Sequence, residues 1–247
     1  MTKRDGDMLD WLSVVRVADV DAIRWALGAF AGAGGPVTVR RANMWITRLA
    51  DVGLVSRARP NFRDGSVVWA THQAIGKSTP NLYRQTARHE VAVAAVSARY
   101  LAYGYTWGRD RVAPNPVEHQ ADGVATREGE VVLVEVELTP KTLHRYPKIF
   151  RSHASRMERE GVAQVVYFGT PDVARAVARE ADKNLFHALR PRLVTMPVLD
   201  VRGSWNGPDY GLWNNTPAAA TGTFVDEDAT LGGDVWEFEG SMEGSRA

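Results

Sequence analysis

Asp122, Glu135, Glu137 and Lys141 are the residues of this chain whose types and spacing best suit chemistry. The run Val131-Val-Leu-Val-Glu-Val-Glu-Leu138 reads as a strand, and alternation along a strand puts Glu135 and Glu137 on one face. Asp122 falls on the neighbouring hairpin strand, before the turn Glu128-Gly129-Glu130. Three carboxylates held that close repel one another unless a cation or a proton sits among them. Asp and Glu oxygens suit Mg²⁺ or Mn²⁺. Lys141 is expected at the start of the next helix. The same four residues also read as an ion network, in which Lys141 satisfies the two glutamates without metal.

Other chemistries find less support. The histidines (His72, His89, His119, His144, His153, His187) show no His-x-x-x-His spacing with a third ligand, so no zinc site is expected. Gly32-Ala-Gly-Gly35 lacks the lysine of a phosphate-binding loop, which argues against nucleotide hydrolysis. His144, Arg145 and Lys148 near Lys141 make a basic helix start able to hold a phosphate or simply to face solvent.

The elements that must position this cluster follow from periodicity. A helix from Thr86 buries Val91, Ala94, Ala95 and Tyr100. Strands follow, then a helix from Thr139 with Tyr146, Ile149, Phe150, His153 and Met157, ended by Gly161. Val162–Phe168 reads as a buried strand, Pro171–Ala181 as a helix, and a short strand ends the unit near residue 200. An α/β domain is therefore expected over 86–200, behind a polar connector at 77–87.

Residues 8–76 read differently. Met8, Leu9, Trp11, Leu12 and Val15 give one helix; Ile23, Leu27 and Phe30, after Asp19 or Asp21, give a second. A third begins near Thr38, with Val39, Ala42, Ile46 and Leu49 inward and Gly53 closing it. Its other faces carry Arg40, Arg41, Asn43, Thr47 and Arg48. Two β-like runs, 54–59 and 66–70, flank a loop containing Asp64-Gly65 and carry Arg57, Arg59 and Arg63. Three helices and a basic hairpin make a winged helix-turn-helix pattern, whose third helix fits the major groove of double-stranded DNA. The alternatives are a helical domain with a solvated arginine face, or a winged helix that binds protein.

Bulk composition sets the frame. The chain has 247 residues, 45% hydrophobic and 24% charged, as an ordinary globular protein has. No run reaches the roughly 18 apolar residues of a membrane span, and the absence of cysteine fits a cytoplasmic protein. The net charge of +1 hides an asymmetry. Residues 1–202 hold 29 basic and 21 acidic side chains, a net of +8, which suits a polyanionic partner. The segment 203–247 is expected to be irregular and acidic. Its Gly233-Asp-Val-Trp-Glu-Phe-Glu239 suits recruitment of a protein partner or masking of the basic surface.

The expected αβββαβ order, with a carboxylate pair on the third strand, resembles the PD-(D/E)xK nuclease superfamily. Arg48-Leu-Ala-Asp-Val-Gly-Leu-Val55, Arg88-His-Glu90, Ala121-Asp-Gly123 and Val134-Glu-Val-Glu-Leu-Thr-Pro-Lys141 together resemble the replication-relaxation family. Those are actinobacterial plasmid, integrative-element and phage proteins with a winged helix ahead of a nuclease-like domain. The resemblance implies an α+β fold with Asp122 and Glu135 as metal ligands. Glu137 occupies the usual position of the nuclease lysine, and Lys141 stands in for it. It also implies lesser roles for Glu90 and Gln164. The function implied is a double-stranded DNA-binding accessory or regulatory factor of a mobile element. The alternatives are a Mg²⁺- or Mn²⁺-dependent endonuclease, and a protein–protein adaptor acting through the tail.

Overall fold

Thr2 starts the first helix, α1 (Lys3–Val15), through a capping box in which its hydroxyl and the Asp5 carboxylate each accept the other residue's backbone N–H. The computed structural model describes residues 1–208 except 114, 116 and 117. The acidic segment beyond 208, with Trp213 and Trp236, therefore lies outside the described residues. Among those described, no helix is long and apolar enough to cross a membrane.

Strand β1 (Ala18–Asp19) leads into α2 (Val20–Phe30), whose N-cap is Asp19: its carboxylate accepts the Ala22 N–H at 2.7 Å. Gly28 of α2 meets the returning chain so closely that a Cβ there would stand 1.8 Å from the Gly35 carbonyl oxygen. Helix α3 (Val39–Asp51) is capped by Thr38 and buries Ala42, Trp45, Ile46 and Leu49. Val39, expected inward, is 53% exposed. Gly53, at φ 74°, takes the left-handed backbone that turns the chain into β2 (Val55–Ala58). Strand β3 (Val67–Ala70) pairs antiparallel with both β2 and β1, giving the sheet order β1-β3-β2. The two-residue β1 and the short α4 (His72–Ile75) carry too little pattern to be read from sequence.

Helix α5 (Thr86–Ala102) buries every residue from Val91 to Tyr100, so it is covered on all sides rather than amphipathic. Ala94 and Ala98 belong to the core of the first three helices, while Ala92, Val96 and Tyr100 belong to the core of the following sheet. The indole N–H of Trp11 donates to Ser97 Oγ across the first of these contacts, at 3.0 Å. The two expected units therefore share one helix. Small alanines along α5 let helices on one side and strands on the other approach closely.

The second sheet runs β4 (Thr106–Gly108), β5 (Gly123–Arg127), β6 (Glu130–Glu137), β7 (Val162–Gly169), β8 (Leu193–Met196), in that spatial order. The first three are antiparallel, whereas β7 and β8 run parallel to β6 through the crossover helices α6 (Tyr146–Arg159) and α7 (Pro171–Asn184). On β6, Val132, Val134 and Val136 pack toward α5, and Leu133 packs toward Tyr146 and Phe150 of α6. Helix α6 does not start at Thr139. Pro147 lacks a backbone N–H and fits only the first helical turn, so 139–142 stays irregular ahead of a 3₁₀ turn at Leu143–Arg145. Lys141 therefore sits on a loop. After β8 the chain folds back, and Trp205 covers the Arg99 guanidinium (4.0 Å to the ring centroid) on the α5 side of the sheet.

Candidate functional site

The alternation of β6 delivers Glu135 and Glu137 to the face opposite Val132, Val134 and Val136, at the end of the strand where the parallel pair β6–β7 opens. Both are buried, at 1% and 4% exposure. They lie in the floor of a groove of about 1250 Å³. Arg59 and Phe62 of the hairpin, Arg84 and Arg88 ahead of and on α5, and Asp122 and Lys141 also line it. One groove thus joins the β2–β3 hairpin to the carboxylates.

Each carboxylate has partners of its own. Asp122 Oδ2 accepts the Val136 N–H at 2.7 Å, and His89 Nε2 stands 3.1 Å from the same oxygen and 3.0 Å from the Val136 carbonyl. Glu137 is ion-paired through Oε1 with Lys141 Nζ and accepts the Tyr146 hydroxyl at Oε2, 3.2 Å away. Tyr146 in turn accepts the Lys141 backbone N–H at 3.1 Å, which holds the loop down on the glutamate. Glu135 lies between two imidazoles: His119 Nε2 is 2.8 Å and His153 Nε2 is 3.4 Å from its Oε1. The mutual repulsion expected of three neighbouring carboxylates is relieved by two histidines, a lysine and a third histidine, one group at a time.

The electrostatics follow. Burial works to raise the Glu135 carboxyl, but the two adjacent imidazoles outweigh it and hold the group down to about 2. Burial pushes the His153 imidazole below its ordinary value against the pull of Glu135. At Glu137 burial wins over Lys141, aided by the charge of Glu135, and the carboxyl is raised. His89 runs the other way: its contacts with Asp122 overcome burial and raise it, favouring the imidazolium.

His119, Glu135 and His153 form a group whose ligand atoms all lie within 4.8 Å of one another, and which can hold a metal ion. No spacing of the histidines along the chain points to this set. The pairing expected from sequence was different: Asp122 with Glu135. Asp122 stands outside the group, its oxygen taken by a backbone amide and His89. The histidine group escaped spacing rules because its members come from a loop, a strand and a helix. The signals were present singly, since His119 precedes Asp122 by one turn of loop and His153 falls on the buried stripe of α6.

The loop bearing His119 and Asp122 is fixed from below. Asp110 receives both guanidinium nitrogens of Arg156 (2.6 and 2.9 Å) and the Ala121 N–H (2.8 Å), all buried. The His119 N–H donates to Ser152 Oγ at 3.0 Å. Glu90 lines a smaller side cavity of about 220 Å³ that shares His89 and Asp122. Gln164 is placed away from the site. It pairs with Val132, three positions along the sheet from the Glu135–Tyr167 pair and on the opposite face.

Of the residues expected to meet DNA, Arg40, Arg41, Asn43 and Thr47 are exposed along α3, and Arg57 and Arg59 are exposed on the hairpin. Two others are ion-paired to buried aspartates. Arg48 donates to both oxygens of buried Asp5 (2.6 and 3.1 Å), beside the Trp45 indole N–H at 2.9 Å. Arg63 is folded inward, its side chain 8% exposed, and pairs with Asp19 at 2.6 Å. A buried acidic N-cap needs a cation more than a loop arginine needs solvent, and this decides its direction.

Compared with family models, curated proteins and solved structures, the chain matches none.

Proposed function

We propose that this chain is a double-stranded DNA-binding accessory or regulatory factor of a mobile element, a plasmid or phage, with a nuclease-like domain that does not cleave. The observation that carries this reading is the outward face of α3, where Arg40, Arg41, Asn43 and Thr47 stand exposed while Ala42, Trp45, Ile46 and Leu49 anchor the helix. A helix so anchored presents a rigid cationic and amide-bearing ridge to a groove. The order α1-β1-α2-α3-β2-β3 with sheet order β1-β3-β2 agrees with a winged helix-turn-helix, its wing bearing Arg57 and Arg59. The net +8 of residues 1–202 agrees with a polyanionic partner. The mobile-element setting rests on the resemblance to the replication-relaxation family.

The Mg²⁺- or Mn²⁺-dependent endonuclease is the weaker reading. A hard-cation centre needs free carboxylate oxygens converging on one point. Here Asp122 is bonded to a backbone amide, Glu137 to Lys141, and Glu135 faces nitrogen donors. The residues present do not fit that ion.

The test is binding of mixed-sequence duplex DNA by fluorescence anisotropy across a salt series. Replacing Arg40 and Arg41 together by Ala is expected to weaken binding at least tenfold. Each phosphate contact contributes about 0.9 to the log–log salt slope, so the double variant should flatten it by roughly two. Unchanged affinity and slope in a folded double variant would sink the assignment of α3 as the contact surface. Nicking of supercoiled plasmid in Mg²⁺ or Mn²⁺ that vanishes in Glu135→Ala would replace the non-cleaving reading by the endonuclease.

A further inference from the structure

We infer that His119, Glu135 and His153 form a binding site for one borderline divalent transition-metal ion of the Zn²⁺ class, open toward the groove. The inference is independent of DNA binding, because none of the three residues lies on α3 or the hairpin.

Unsatisfied polar atoms supply the first argument. His119 Nε2 and Glu135 Oε1 are buried and make no hydrogen bond. Native proteins rarely leave such atoms unpaired, and two side by side ask for an explanation. His119 Nε2 and Glu135 Oε1 are only 2.8 Å apart, yet they are not aligned to bond each other. Atoms that are close without pointing at one another are what ligands of a common third atom look like.

The distances agree. Nitrogen and oxygen ligands lie about 2.0–2.2 Å from Zn²⁺, so neighbouring ligands in octahedral to tetrahedral arrangements stand about 2.8–3.6 Å apart. The separations of the two imidazole nitrogens from Glu135 Oε1, 2.8 and 3.4 Å, fall in that range. Donor chemistry then selects the ion. Two imidazoles and one carboxylate suit Zn²⁺, Co²⁺, Ni²⁺ or Fe²⁺, whereas Mg²⁺ and Ca²⁺ prefer an all-oxygen shell.

Access and support complete the case. His119 and Glu135 line the groove, while His153 closes the site from behind at 0% exposure. Three protein ligands with one side facing solvent leave a coordination position for water or an incoming group. Ser152 accepts the His119 backbone N–H at 3.0 Å and so holds the loop that carries the first imidazole. The Tyr167 hydroxyl, 3.0 Å from His153 Nε2, has to release that nitrogen when it takes the ion.

The experiment titrates the full chain, stripped with a chelator and free of DNA, with Zn²⁺ by calorimetry and with Co²⁺ by visible absorption. Expected are one ion per chain, Zn²⁺ bound at least a hundredfold more tightly than Mg²⁺, and a Co²⁺ spectrum with ligand-field bands of a nitrogen–oxygen site. His119→Ala, at the partly exposed edge of the site, and Glu135→Gln should each weaken Zn²⁺ binding at least tenfold. If a variant fails to fold, the wild type still decides the matter: Zn²⁺ must raise its melting temperature with concentration, because an ion that binds only the native state stabilises it by mass action. The proposal is overturned if the wild type binds no Zn²⁺ at micromolar concentration, if Mg²⁺ binds as tightly, or if a folded His119→Ala variant retains wild-type affinity. The Arg40→Ala/Arg41→Ala variant should keep its metal, so the two readings can fail separately.

Discussion

Replacing Asp5 tests what the buried carboxylate beneath Arg48 contributes. Asp5 is fully buried and serves three partners: the Thr2 N–H, the Trp45 indole and the Arg48 guanidinium. Asp5→Ala removes half of the capping box, costing about 1 kcal/mol. It also leaves the indole N–H of Trp45, a residue only 5% exposed, without its acceptor, costing about 1–3 kcal/mol. The Arg48 side chain is 52% exposed and rehydrates when freed, so its share is about 0.5–1 kcal/mol. The total is about 2.5–5 kcal/mol. For a folded unit of this size each kcal/mol moves Tm by roughly 2–4 °C, so a fall near 10 °C is expected in thermal unfolding followed by circular dichroism. Asp5→Asn keeps an acceptor for the indole and should lose about half as much. Arg48→Ala should cost only about 1 kcal/mol and leave DNA affinity within about twofold. The sign with pH is fixed. Burial alone would raise the Asp5 carboxyl, but Arg48, the Thr2 amide and Trp45 hold it well below its ordinary value of 3.8. The advantage of wild type over Asp5→Asn is therefore complete above about pH 4 and shrinks as the pH falls further. An Asp5→Ala protein melting within about 2 °C of wild type would refute the accounting. So would an Arg48→Ala protein that loses DNA binding as severely as the Arg40/Arg41 variant while melting normally.

Arg63→Ala should destabilise by about 3 kcal/mol, because it leaves the buried Asp19 carboxylate without its cation while only the Ala22 N–H remains bonded to it. A calorimetric Tm unchanged from wild type would show that Arg63 is not needed there. Gly28→Ala should cost at least about 2 kcal/mol, since its Cβ would collide with the Gly35 carbonyl and push α3 away from α2. Denaturant unfolding reads this directly, and a neutral outcome would mean that the 31–37 turn yields easily.

Much of the architecture was legible because it rests on local pattern. The apolar spacing in α1, α2 and α3, a cap at Asp19 or Asp21 (the structure uses Asp19), the start near Thr38 and the turn at Gly53 all act within a few residues of chain. The common face of Glu135 and Glu137 follows from strand alternation alone. Local pattern failed where tertiary contact set the outcome. The span 139–142 scans as a helix start, yet Pro147 and the Tyr146 hydroxyl keep it a loop against Glu137. The Ala-rich α5 gives no hint in sequence that one end-to-end helix serves two cores.

The sequence by itself determined which chemistry is available: carboxylates on one strand face, arginines on one helix face, and a basic body with an acidic end. Composition and short-range periodicity suffice for that, since each depends on residue type and nearest spacing only. The tertiary structure alone decided who meets whom. It gave Glu135 to two histidines rather than to Asp122, and it tied Arg48 and Arg63 to buried aspartates. A buried charge must find a partner in space, and the side chains close enough to serve are set by the packing of distant segments.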